Sequence, residues 1–184
     1  MRADAVANRR RVLVAAQEVF AEQGAEASTE EVARRAGVGT GTVFRHFPTK
    51  RDLLEHALVA HLDDLAEAAR ATASGEDPVE ALRTLVADMA GRAPTKLAMA
   101  EPLLADDGLG EASHAAAERV RVVVAEVLER AQETGRVRRD VGVDEIHFLV
   151  RGIAQAQAFL PVAPEVRRRA VEVLLDGLRC APRS

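Results

Sequence analysis

The chain has no tryptophan and no tyrosine, and five phenylalanines bring its aromatic content to only 3% of 184 residues. Any ligand pocket it forms must therefore be walled mostly by aliphatic side chains. A single cysteine, Cys180, excludes an internal disulfide framework and suits a cytosolic setting. Near a C-terminus expected to fray, it reads as incidental rather than catalytic. No run of 18 apolar residues occurs, and the basic residues at 9–11 lead into an amphipathic stretch rather than the apolar block of a signal peptide. A cytoplasmic location with no membrane partner is expected. There is no Gly-x-Gly-x-x-Gly or phosphate-loop signature, no serine flanked by nucleophile-elbow glycines, and no His-Glu-x-x-His or Cys-His cluster. None of His46, His56, His61, His114 and His147 has a second histidine four residues on, and His61 with Asp64 reads as a solvated helix face. No enzyme activity, metal or cofactor is implied.

What is present is an ordinary globular balance, 48% hydrophobic and 29% charged, in a chain long enough to bury a substantial core in one or two domains. The net charge of −4 is unevenly placed. Residues 1–51 hold nine Lys+Arg against six Asp+Glu, a balance of +3, and residues 52–184 hold 16 against 23, a balance of −7. The positive end is the one that can approach phosphate.

That end carries the most informative stretch, residues 28–53, STEEVARRAGVGTGTVFRHFPTKRDL. Ser28 with Glu31 is a Ser-x-x-Glu capping box, so a helix starts at Thr29, with Val32, Ala33 and Ala36 inward. Gly37 ends it where a left-handed residue is wanted, Val38 fills the space between helices, and Gly39 opens a second helix from Thr40 to about Phe47. Pro48 stops that helix, and Thr49 with Asp52 caps the next. Two short helices around a glycine-containing turn form the helix-turn-helix unit that reads the DNA major groove. At about 100° per residue, Val43 and Phe47 anchor the second helix, while Gly41 and Arg45 centre its opposite face with Thr42 and Phe44 on the flanks. Gly41 permits close backbone approach. Arg45 suits guanine O6 and N7, Thr40 and Thr42 suit base edges or thymine methyls, and Lys50 suits phosphate.

AGVGTGTVFRHFPTKRDLL, preceded by an amphipathic helix ending in VFAEQG, resembles the N-terminal DNA-binding domain of the tetracycline-repressor (TetR) family over about residues 9–58. The resemblance implies an all-α homodimer whose divergent C-terminal domain binds a small molecule and thereby releases DNA. By position, Thr40, Gly41, Thr42 and Arg45 fall where members meet bases, and Ser28, His46 and Lys50 where they meet phosphate. Thr29 and Phe44 complete the expected DNA-facing set. Gly39 stands where Ser is usual, which removes a hydroxyl cap. Phe44 stands where Tyr is usual, which removes a phenol-to-phosphate hydrogen bond. Its ring either flanks the groove or turns inward beside Phe20 and Phe47.

Elsewhere the pattern is helical. Helix one is expected over 5–23, with Val12, Ala16, Val19 and Phe20 on one face. Helix four, over 50–72, carries a stripe of Leu54, Leu58, Leu62 and Leu65 and links a helix-turn-helix domain at 1–50 to a ligand-binding and dimerisation domain at 73–184. Residues 74–78, SGEDP, mark the boundary, with Asp77 as N-cap and Pro78 in the first turn. Further helices are expected at 78–92, 95–104, 111–134, 144–159 and 165–179. VRVVVAEV at 120–127 has strand composition, but its flanks are strong helix formers and a lone strand has no partner. In helix 144–159, Ile146, Leu149, Val150, Ile153 and Ala154 form an apolar face. His147, Arg151 and Gln155 form a polar stripe that suits a pocket wall, an interface rim or solvent. The last helix, with Ala170, Val173, Leu174 and Leu178, is its natural partner, and the resemblance implies that these two helices build the dimer interface. Met89, Leu97, Met99, Leu103 and Leu104 either line a cavity or are plain core.

The expectation is an all-α, dimeric DNA-binding regulator, a repressor released from a near-palindromic double-stranded operator by an unidentified small molecule. Its rivals are a ligand-independent regulator or activator, and a small-molecule-binding helical protein with a weakened helix-turn-helix.

Overall fold

The structure is a computed structural model that describes residues 2–160 and 162–180. Its described residues form eight α-helices: α1 Arg2–Gln23, α2 Thr29–Ala36, α3 Thr40–His46, α4 Lys50–Ala73, α5 Pro78–Ala105, α6 Glu111–Glu133, α7 Val143–Phe159 and α8 Pro164–Gly177. A single 3-10 turn, Gly24–Glu26, follows α1. The chain divides into two compact units, residues 1–63 with 95–117 and residues 64–94 with 118–184, so α4, α5 and α6 each contribute to both.

In the first unit the apolar periods of α1 and α4 close over α2 and α3. Val12, Ala16, Val19, Phe20, Val32, Val43, Phe47, Leu53, Ala57 and Leu58 are all fully buried. Each large side chain among them stabilises the unit by roughly 1.5–3 kcal/mol relative to exposure. Ser28 Oγ accepts the Glu31 N–H at 3.1 Å, which starts α2. The Glu31 carboxylate turns to Arg34 at 2.6 and 2.8 Å. Gly37 takes φ 66° and ψ 37°, and the N–H groups of Gly37 and Val38 bond back to the carbonyls of Arg34 and Ala33, a Schellman ending. The start of α4 is a complete capping box, with the Thr49 N–H on Asp52 Oδ2 and the Asp52 N–H on Thr49 Oγ1, both at 3.0 Å.

The second unit buries Leu65 and Ala69 of α4, Leu82, Leu85, Val86 and Met89 of α5, Val123, Val124 and Val127 of α6, Ile146, Val150 and Ala154 of α7, and Val171 and Leu175 of α8. The segment 120–127 is helical, inside α6. After α8 the chain returns beside the α6–α7 connection. Val137 and Arg179 form an antiparallel bridge, and the Cys180 N–H reaches the Arg136 carbonyl at 2.9 Å. Cys180 is thus exposed but tied down rather than frayed.

Two expectations fail. The two helices expected at 78–92 and 95–104 are one, because α5 runs unbroken across Gly91 and Pro94. Its buried stripe continues from Leu82, Leu85, Met89 and Ala93 to Ala100 and Leu103, and that periodic burial outweighs one missing amide. His61 is not on a solvated face. It is 5% exposed, in line with buried Leu54, Leu58 and Leu65 on α4, whereas Asp64 is exposed. No group of three or more His, Cys, Asp or Glu able to hold a metal occurs among the described residues.

Candidate nucleic-acid interface

The outward face of α3 is held by what lies beneath it. Val43 and Phe47 are fully buried, so the side of the helix opposite them must stand at the surface. Gly41 and Arg45 are exposed there, and Thr40, Thr42 and His46 are half-buried. Phe44 is 43% exposed, which places its ring at the surface and outside the Phe20–Phe47 core. Ser28 and Lys50 are exposed, while Thr29 is the buried member of the expected set, with 7% exposure.

The charges around this face are sorted. Arg34 is bound to Glu31, and Arg35 bridges α2 to α1 through Glu22 at 2.7 Å and Glu18 at 3.5 Å. The Arg35 hydrogen bond holds the Glu22 carboxyl below its usual range, and Arg34 does the same for Glu31. Arg35 thus braces the two helices, while Arg34 pairs within α2. The Arg9 guanidinium lies 5.2 Å from the Phe47 ring centroid and the Lys50 ammonium 5.9 Å from that of Phe20, so aromatic faces set where two cations stand beside α3. Arg45 has no ion pair among the described residues. An exposed, uncommitted guanidinium beside a side-chain-free helical position and two threonine hydroxyls is a surface suited to base edges.

The second expected set is less coherent. Leu97, Met99 and Leu103 belong to the first unit, and Met89, His147, Arg151 and Gln155 to the second. Met89, Met99 and Leu103 are buried, while Leu97 and Gln155 are half-buried. Arg151 is exposed, and half-buried His147 directs Nδ1 to the Val143 carbonyl at 2.9 Å. Sequence reasoning also missed two residues at the start of α4. Arg51 bonds Asp106 and the Gly108 carbonyl, and Glu55 accepts the Gly110 N–H. Partners some 55 residues apart leave no local signal.

The last two helices expose apolar side chains. Phe148 is 77% exposed and Leu149 43% on α7, and Val166 54% and Val173 68% on α8. Ala170 and Gly177 continue the α8 row, and Gly152 and Ala156 the α7 row. Leu178, expected on the interface face, is buried, and Leu174 is half-buried.

Comparison with known proteins agrees with this geometry. Residues 12–57 match a family model described as bacterial regulatory proteins, tetR family, and residues 77–180 match one described as transcriptional regulator SbtR-like, C-terminal domain. The crystal structure of a TetR transcription regulatory protein from Mycobacterium vanbaalenii is 36% identical, with 97% of this chain and 99% of that one covered and a TM-score of 0.77. A TetR transcriptional regulator from Streptomyces coelicolor is 30% identical over 93% of this chain and 98% of its own, also with a TM-score of 0.77. An HTH-type transcriptional regulator of Staphylococcus aureus (strain USA300) is 41% identical over 64 residues, which span 34% of this chain and only 35% of the relative.

Proposed function

This chain belongs to the tetracycline-repressor (TetR) family of transcriptional regulators, which are non-enzymatic DNA-binding proteins, and we propose that it acts as a homodimeric repressor released from its operator by a small molecule. The observation that carries the DNA-reading role is the outward face of α3, with Gly41, Arg45 and the two threonines presented above a buried Val43–Phe47 anchor. In the dimer, two α3 helices enter successive major grooves about 34–36 Å apart. Arg45, Thr40 and Thr42 meet bases. Lys50, Ser28 and His46 meet phosphate, with the Phe44 ring on the groove flank.

The exposed rows of α7 and α8 support the dimer, since contiguous apolar surface on a soluble chain marks an interaction site. Small residues at Gly152, Ala156, Ala170 and Gly177 would allow close helix approach. The effector proposed is a largely apolar small molecule, because Leu97, Met99 and Leu103 of the first unit are all apolar and the chain has few aromatic side chains; Met89 with the polar His147, Arg151 and Gln155 is the separate candidate group of the second unit. An energetic coupling of only ~1–3 kcal/mol between effector and operator suffices for control. Action on operator DNA places the protein in the cytoplasm, and no described helix is long and apolar enough to cross a membrane. A gel shift with DNA from upstream of the protein's own gene tests the reading. A shifted band containing two protomers per site is expected, and absence of any shift across that region would overturn it.

A further inference from the structure

Two adjacent cations open α4, and their surroundings differ. Lys50 is exposed beside α3, whereas the Arg51 side chain is only 32% exposed. Arg51 donates to Asp106 Oδ2 at 2.9 Å and to the Gly108 carbonyl at 2.6 Å. One turn on, Glu55 Oε1 accepts the Gly110 N–H at 2.8 Å. The α5–α6 connection is shaped for this hold. Gly108 has φ +86°, a conformation that side chains rarely adopt, and its N–H returns to the Leu103 carbonyl at 2.9 Å. A Cβ at Gly110 would lie 2.5 Å from Glu55 Oε1, so a larger residue there makes the Glu55 carboxylate shift. All of these residues lie in the same compact unit as the helix-turn-helix.

We infer that Arg51 is a positioning residue for operator recognition and not a phosphate contact. With Glu55 it fastens the first turn of α4 to the 106–110 connection, and so fixes where the neighbouring Lys50 stands when DNA arrives. The inference rests on the proposal that Lys50 meets phosphate. It makes a prediction of definite sign about Asp106, an exposed acidic residue. If Arg51 bound phosphate, Asp106 would compete for it, and its removal would tighten DNA binding both by freeing a cation and by deleting a negative charge. If Arg51 holds α4 in place, the same removal weakens binding, against the charge effect.

The test is operator affinity by fluorescence anisotropy over a range of salt, on the full chain, for Asp106→Ala, Asp106→Asn, Gly110→Ala and Lys50→Ala, with circular dichroism to establish folding. Asp106→Ala is expected to weaken binding about two- to fivefold, the range of one partly exposed ion pair. Gly110→Ala, which makes the Glu55 carboxylate shift, should weaken it by up to about the same factor. Both should keep the wild-type salt slope because no phosphate contact is lost. Asp106→Asn retains an acceptor for Arg51 and should keep most of the affinity. Tighter binding by Asp106→Ala, or unchanged affinity in both Asp106→Ala and Gly110→Ala, overturns the inference. Lys50→Ala checks the reading beneath it. Wild-type affinity and slope in that variant would defeat the phosphate role itself, whereas a weakened Lys50→Ala beside a tightened Asp106→Ala defeats only the positioning role.

Discussion

Replacing Gly41 by alanine should move stability and operator binding in opposite directions. Gly41 is the second residue of α3, is exposed, and is not among the glycines with positive φ. A Cβ built on it meets nothing within 4 Å. The folded chain therefore has no steric or conformational need for glycine at this position. Alanine gains about 1 kcal/mol over glycine in a helix interior. In the first turn, where the amide is not yet bonded within the helix, about half of that is expected. At about 2–4 °C per kcal/mol for a chain of this size, the melting temperature should rise by roughly 1–2 °C. On DNA the same methyl would stand between the helix backbone and the base edges, displacing Arg45 and both threonines together. A loss of at least about tenfold in affinity, near 1.4 kcal/mol, is expected. Thermal melting and fluorescence anisotropy on one preparation measure both effects. A more stable variant with undiminished affinity would refute the placement of this face in the groove, and a less stable variant would refute the claim that the space above Gly41 is open.

Phe44→Tyr should tighten operator binding by roughly 0.5–1.5 kcal/mol through one added hydrogen bond to phosphate, at unchanged melting temperature because the ring is already at the surface and without changed sequence preference; unchanged affinity would show that the ring does not flank the DNA. Val173→Glu should give monomers in sedimentation, because it places a charge in the middle of the exposed α8 row. A folded Val173→Glu dimer would remove α8 from the interface.

The helix-turn-helix was legible because its determinants are local. Ser28, Gly37, Gly39, Pro48 and the Thr49–Asp52 pair each act within a few residues, and all stand at the helix boundaries the structure shows. Which side of α3 faces out follows from Val43 and Phe47 alone. For Phe44 an exposed and a buried ring fit the same spacing, and only its surroundings decide. Pro94 is a local helix breaker by type, and α5 continues through it only because of the buried stripe on both sides, which tertiary packing decides. His61 misled because Asp63 and Asp64 beside it mark a solvated face, yet His61 itself falls on the line of Leu54, Leu58 and Leu65. The hold of Arg51 on Asp106 was out of reach, since its partners are distant in sequence and meet only when the chain folds.

Operator recognition depends most on the division of labour between Arg45 and Lys50. The decisive measurement is the affinity of Arg45→Ala and Lys50→Ala for the operator and a set of its single-base variants, over a range of salt. Arg45→Ala is predicted to cost ~1–3 kcal/mol on the operator and to erase preference at one base position. Lys50→Ala is predicted to weaken every sequence alike and to lower the salt slope by about one phosphate. Equal losses across all base variants for both proteins would contradict the claim that α3 reads the sequence.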